Sequence, residues 1–386
     1  MGVKLHNRVL PLLLGLMLLA WAALPLLTAA PNRLLSGQAV PWATVLAGPG
    51  KLLALPFAVL MVLPWLAQTA RIQALVAGCA ALLLFGLTWL AGQYATRLSG
   101  GDDSLVRVAF GGAYWLLASL CWLAAADAIA RATSHAMLRL LANLLVLAPP
   151  LALLWCGQLD QLAILKEYSN RADVFNDALL RHLLILLDTV IGALALGVPL
   201  GLAGFRYRRW RHGLFTVLNL IQTIPSIALF GLLIAPLAAL ARYSPWLAAH
   251  GVSGIGMTPA IIALVLYSLL PLARSVVAGL DQVPPAVVEA ARGVGLTNWQ
   301  VMWHVQLPLA LPLLLSGLRV TAVQAVGLTV VAALIGAGGL GAIVFQGLLS
   351  SALDLVLLGV IPVVALAVLI DCAFKYLVAS LELPHA

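Results

Sequence analysis

The feature that most constrains this chain is the recurrence of apolar runs about as long as a lipid bilayer is thick. A membrane-spanning helix needs about 20 predominantly apolar residues at ~1.5 Å rise each. Such runs cover Val9–Leu27, Leu52–Ala67, Ile72–Ala91, Val108–Ala130 and Leu138–Cys156. After a polar stretch from Gly157 to Arg181 they resume over Leu183–Phe205, Leu214–Leu240, Thr258–Leu280, Leu309–Leu334 and Asp354–Leu377. Of the 386 residues, 63% are hydrophobic and only 9% charged, against about a quarter charged in soluble domains. In lipid every backbone polar group must be satisfied internally. The expected fold class is therefore all-α, a polytopic membrane protein with about ten transmembrane helices. The polar stretch separates an N-terminal membrane region, 1–175, from a second region, 176–380.

The net charge of +8 does not point to nucleic acid. The basic residues are scattered among short loops, with one tight run at Arg206, Arg208, Arg209 and Arg211, and a basic loop between apolar spans reads as a cytoplasmic marker. Placing the N-terminus inside puts this run, Arg71, Arg131 and Arg139 on the inner face, and an even number of crossings returns the C-terminus there. The first apolar run is longer than the core of a secretory signal, so it is expected to remain as a span. Cys79, Cys121, Cys156 and Cys372 lack the close pairing that zinc or redox chemistry requires, and the histidines are equally dispersed.

The loop between the eighth and ninth spans, Asp281 to Pro308, carries the densest local signals. Pro284 and Pro285 suit a helix start, and Gly293 and Gly295 can supply the positive φ that ends it. Thr297 followed by Gln300 has the capping-box spacing, which predicts a second short helix ending before Pro308. Small residues at Ala290 and Ala291 permit close backbone approach, and Glu289 can accept charge-assisted hydrogen bonds. On these grounds alone the loop is either a surface that another protein grips or an amphipathic interfacial segment.

The segment resembles the cytoplasmic EAA loop of ABC importer permeases: Glu-Ala-Ala, three residues, Gly, nine residues, then a hydrophobic residue, one residue, Leu-Pro. Glu289, Ala290, Ala291, Gly295, Leu307 and Pro308 occupy the fixed positions, and Val305 stands where the family has Ile. The likeness extends from Leu183 to Leu377 and narrows to permeases of osmoprotectant importers, through Ile224-Pro225-Ser226, Tyr267 with Pro271 and Arg274, and the run from Ile335 to Gly341. The first five spans resemble the extra N-terminal half of the larger Yeh-type permeases. The resemblance implies a type I (MetI-like) importer core over 176–380, in a multi-pass protein of a bacterial inner membrane. It implies that loop 281–308 couples to cytoplasmic ABC ATPase subunits. It further implies a periplasmic solute-binding protein, a second permease copy or a paralogous permease, and quaternary ammonium solutes such as glycine betaine. ATP and magnesium would then belong to the ATPase partners and no cofactor to this chain, which has no G-x-x-x-x-G-K-[ST] phosphate loop.

Candidates for the pathway or its gate follow from irregular backbone and in-span charge. Gly336, Gly338, Gly339 and Gly341 match a dinucleotide fingerprint, but that motif acts between a strand and a helix, and here it ends a span. A bend lining the pathway is the expected role. Pro225 and Ser226, within the run Leu214–Leu240, are carried over from the resemblance as further pathway candidates. Arg319 lies deep in its span, where charge is costly, and is expected to pair with a cluster of helix-end carbonyls or an Asp at the central cavity. Tyr267 and Trp246 are aromatic candidates for a cation–π contact, although interface anchoring also accounts for them. An ion-driven carrier would call for paired carboxylates at mid-membrane, and a membrane enzyme for a nucleophile or metal cluster. The sequence offers neither pattern.

Overall fold

The computed structural model describes residues 6–33, 35, 37–100 and 104–381. The chain divides into two compact units, Met1–Asn170 and Arg171–Ala386. Among the described residues nine helical segments are long and apolar enough to cross a membrane. The tenth expected span, Val9–Leu27, is represented by a helix of only 15 residues.

The first unit comprises α1 (Val9–Ala23), β1 (Leu27–Ala30), β2 (Gln38–Ala39), α2 (Trp42–Val45), α3 (Ala54–Val62), α4 (Ala70–Ser99), β3 (Arg107–Phe110), α5 (Gly112–Ala132), α6 (Ala136–Trp155) and α7 (Ala163–Ser169). Helix α1 stops early because Pro25 drives Leu24 into extended backbone, ψ 147°, and Leu27 already belongs to β1. The span expected at Val108 likewise begins as strand β3 and turns helical only at Gly112. Gly111 makes this corner possible: a methyl there would lie 2.2 Å from the Pro25 carbonyl. Helix α3 is flanked by 3-10 turns at Gly48–Leu53 and Leu63–Trp65, each with a proline in its first turn, where the missing N–H costs least.

The three strands form an antiparallel sheet in the order β2-β1-β3, with Thr28 opposite Ala39 and Leu27 opposite Phe110. The sequence reading did not include it, because strands of two and four residues are too short to display alternation. Helix α7 secures the sheet through Glu167, only 3% exposed, which meets Arg33 Nε at 3.0 Å and Arg107 Nη1 at 3.6 Å.

The second unit comprises α8 (Ala172–Arg206), α9 (Arg208–Thr223), α10 (Ser226–Tyr243), α11 (Pro245–Ala249), α12 (Met257–Asp281), α13 (Pro285–Gly293), α14 (Asn298–Val301), α15 (Leu307–Ala332), α16 (Leu340–Leu349) and α17 (Leu353–Leu381). Helix α12 packs between α8 and α15. Small residues let the backbones close up, as van der Waals packing in lipid requires. A methyl at Gly201 of α8 would lie 2.5 Å from the Val276 side chain of α12, and one at Gly317 of α15 would lie 2.0 Å from Ser275 Oγ.

Two expected boundaries change. The run Leu214–Leu240 is two helices, because Pro225 holds Ile224 extended, ψ 126°, between α9 and α10. The second helix of the loop does not end before Pro308. It continues through a π turn, Met302–Gln306, into α15, making one helical segment from Asn298 to Ile335. The Leu307 amide reaches back five residues to the Met302 carbonyl, and this wider turn absorbs the hydrogen bond that a proline at 308 cannot donate.

Candidate functional site

Loop 281–308 forms a rigid elbow built from local signals. Pro284 caps and Pro285 opens α13. At its end the Leu296 amide donates to the Ala291 carbonyl at 3.2 Å and the Gly295 amide to Arg292 at 2.9 Å, with Gly295 at φ +90°. This is the Schellman arrangement, which favours glycine at the left-handed position. Gly293, also expected to turn, stays helical as the last residue of α13. Thr297 and Gln300 complete the capping box, at 2.8 and 3.3 Å.

On this elbow Glu289 and Ala290 are exposed, and Ala291 is buried beneath them. Glu289 makes no hydrogen bond or ion pair among the described residues. Leu307 packs with Val276, Leu280, Ala310 and Leu314, so the elbow is joined to α12 and α15 by a small apolar cluster. Val305 is half-buried within the π turn, and Pro308 is exposed.

Two features of the elbow escaped the sequence reading. Arg211, at the start of α9, donates to Asp281, the last residue of α12, anchoring the root of the loop to the basic run. Trp299 and Trp303 stand 5.3 Å apart, 70% and 45% exposed. Their i, i+4 spacing was a legible signal for one shared helix face, whereas nothing local pairs Arg211 with a residue 70 positions away.

The pathway candidates fall into three places. At the α9–α10 break Pro225 is exposed and Ser226 begins α10. Tyr267, 6% exposed, donates its hydroxyl to the Ile224 carbonyl, and Gln222 Nε2 donates to the Tyr267 carbonyl at 2.8 Å. Tyr267 thus closes the backbone gap that the proline opens. Trp246 is exposed and stacks near His250, with centroids 4.2 Å apart. Among the described residues no ring contact joins Trp246 to Tyr267.

The second place is the glycine turn. Gly336, Gly338 and Gly339 all have φ between +75° and +80°, and Gly341 sits where a methyl would lie 2.1 Å from the Val330 carbonyl. The turn rests on α8, since a methyl at Gly339 would approach His182 to 3.3 Å. His182 is fully buried and neither ring nitrogen completes a hydrogen bond of ordinary geometry, with the Val326 backbone as a polar neighbour. The third place is Arg319, whose Nε lies 2.9 Å from Asp371 Oδ1 on α17, while Lys375 Nζ lies 2.6 Å from Oδ2. Asp188 of α8 is exposed within its span and has no partner among the described residues. Three or more metal-binding side chains gather nowhere among the described residues.

Apolar spans, one of them continuous as helix with an exposed elbow, define a polytopic α-helical membrane protein. Residues 193–382 match the family described as binding-protein-dependent transport system inner membrane component, and residues 7–165 match the N-terminal domain of ABC transporter permease YehY. The osmoprotectant import permease protein OsmW of Salmonella typhimurium is 39% identical over 191 residues, 50% of this chain and 84% of that protein. The glycine betaine/carnitine/choline transport system permease protein OpuCD of Bacillus subtilis is 35% identical over 218 residues, 56% of this chain and 87% of that protein. A chain of the MetNI methionine ABC transporter in its inward-facing native crystal form shares the fold, with TM-score 0.50 and 23% identity, over 55% of this chain and 99% of that one. The chain belongs to the family of membrane permease components of binding-protein-dependent ABC importers, with a YehY-type N-terminal domain added.

Proposed function

We propose that this permease imports osmoprotectants of the quaternary ammonium class, such as glycine betaine, from a periplasmic binding protein into the cytoplasm. The names of the 39% and 35% identical relatives support the substrate class. The observation that carries the coupling role is the exposed, unpartnered Glu289 on a capped elbow that runs on as helix into α15. In this reading a cytoplasmic ATPase holds Glu289, Ala290 and Ala291, with Gly295, Val305, Leu307 and Pro308 setting the elbow's shape. ATP and magnesium act on the ATPase subunits, and this chain has no ATPase site of its own.

Two permeases, identical or paralogous, enclose the pathway. ATP binding draws their elbows together, and each elbow turns α15 and α12 through the apolar cluster around Leu307. The shift follows from the higher affinity of ATP for the closed ATPase pair. The glycine turn at 336–341 and the break at Pro225–Ser226 lie along the pathway, where irregular backbone is tolerated because it lines a cavity. Asp188 and Arg319 bring charge to that interior. Both termini lie in the cytoplasm, region 176–380 transports, and region 1–175 is an accessory membrane domain.

The test is accumulation of radiolabelled glycine betaine by proteoliposomes holding this chain, an ABC ATPase and a periplasmic solute-binding protein from the same organism. Uptake requiring all three and ATP is the expected result. Uptake that persists without the ATPase and follows an imposed ion gradient would overturn the reading in favour of a secondary carrier.

A further inference from the structure

The first unit holds a cavity that the import reading does not use. It measures about 450 Å³, within the range of about 300–1,000 Å³ typical of small-molecule sites. Met17 of α1, Phe57 of α3, Leu83 of α4 and Cys121 of α5 line it, and its one ionisable lining group of permanent charge is Lys51. Lys51 is exposed and has no acidic partner among the described residues.

Hydrogen bonds fix the direction in which the cavity runs. The amides of His6 and Asn7, ahead of α1, donate to the Pro64 carbonyl beyond α3, at 3.1 and 3.3 Å. Trp42 Nε1, ahead of α3, donates to Leu24 at the end of α1 at 3.1 Å. Helices α1 and α3 therefore run antiparallel, and Lys51 lies at the end of the unit that carries the sheet. Helix α5 starts from that sheet, and Cys121 lies about two and a half turns along it, ~14 Å deeper by helical rise. Half of a hydrocarbon core of ~30 Å is ~15 Å. The cavity thus spans one leaflet, apolar along its length and cationic at its mouth. Trp21 and Trp42, with ring centroids 6.3 Å apart, border the same mouth, at the level where indoles gather in membranes.

We propose that this cavity holds an acyl chain of an anionic phospholipid drawn from the leaflet on the sheet side, with Lys51 meeting the phosphate. Depth selects the chain, and charge complementarity selects the headgroup. This goes beyond the import reading and stands independently of it.

The test uses the full chain in phosphatidylcholine nanodiscs carrying a small fraction of phosphatidylglycerol with a photoreactive diazirine on its acyl chain. Illumination and peptide mapping should place the label on segments containing Met17, Phe57 and Leu83. Ala54→Phe, at an exposed position that lines the cavity, should remove that label while the thermal melting temperature stays unchanged. Lys51→Gln should lower the preference for the phosphatidylglycerol probe over a phosphatidylcholine probe about fivefold, the worth of one lysine at an anionic surface. Label spread evenly over all lipid-facing helices and indifferent to Ala54→Phe would overturn the proposal, leaving ordinary annular lipid. Equal labelling by the two headgroups in the parent chain would overturn it as well.

Discussion

In the first unit the ionised groups stand where the apolar helices end, whereas the second unit carries charge inside its spans. Glu167 meets Arg33 and Arg107 beside the small sheet, and Asp127 meets Arg131 at 2.8 Å in the last turns of α5. In the second unit Arg319 and Lys375 flank Asp371 between α15 and α17, and Asp188 is exposed on α8. A charge at the centre of a spanning helix costs about 2.5–3.5 kcal/mol on insertion scales. Charges at the ends hold a scaffold together at little cost. Charges within the spans need a partner or a polar cavity, and Arg319 has its partner in Asp371.

The largest effect is expected at the elbow of the second unit. Glu289→Lys should reduce solute uptake at least tenfold, because a hydrogen bond to a charged group contributes about 1.5–3 kcal/mol. Gly295→Asp should do the same by putting a side chain on the left-handed turn, φ +90°, that shapes the elbow. Membrane insertion, read by protease accessibility and size-exclusion profile, should be unaltered. Undiminished uptake by both variants would remove the coupling assignment.

The next largest effect tests the in-span pair. Asp371→Leu strands Arg319 in the membrane and should lower the folded yield by an apparent ~2.5–3.5 kcal/mol. Pairing it with Arg319→Leu should restore the yield but not the uptake, separating the structural share of the pair from the functional one. A double variant as poorly folded as the single one would show that the two residues do not compensate each other.

Two smaller effects sharpen the contrast between the units. Tyr267→Phe leaves the Ile224 carbonyl without its donor and should cost about 1–3 kcal/mol of stability, with uptake falling alongside the melting temperature. Glu167→Gln, in the first unit, should also cost about 1–3 kcal/mol, yet change uptake less than twofold. A large uptake defect from Glu167→Gln, at full expression, would mean that the first unit takes part in transport rather than standing beside it.

What was legible in the chain was local. The Schellman turn at Gly295 and the capping box at Thr297 lie within six residues of each other's partners, and each follows from backbone groups that a helix end leaves unpaired. The ion pairing of Arg319 was legible as a requirement, since a buried charge needs a counterion, although Asp371 was only one of the partners that would have met it. The π turn before Pro308 was not legible. The proline advertises a stop, and only packing of Leu307 against Val276 and Leu280 favours continuing the helix through it. The split at Pro225 was foreseeable from the proline, but its stability rests on Tyr267, 43 residues further along the chain.

By itself the sequence determined that the protein lives in a bilayer, that its chain crosses many times, and where its elbow bends. Those properties depend on average polarity over twenty residues or on capping groups a few residues apart. Tertiary structure alone decided the three-stranded sheet, the anchoring of Asp281 by Arg211, the seating of the glycine turn on His182 and the apolar cavity beside Lys51. Each joins groups distant in the chain, and lipid, which solvates every apolar face equally, leaves close packing and hydrogen-bond satisfaction to choose which faces meet.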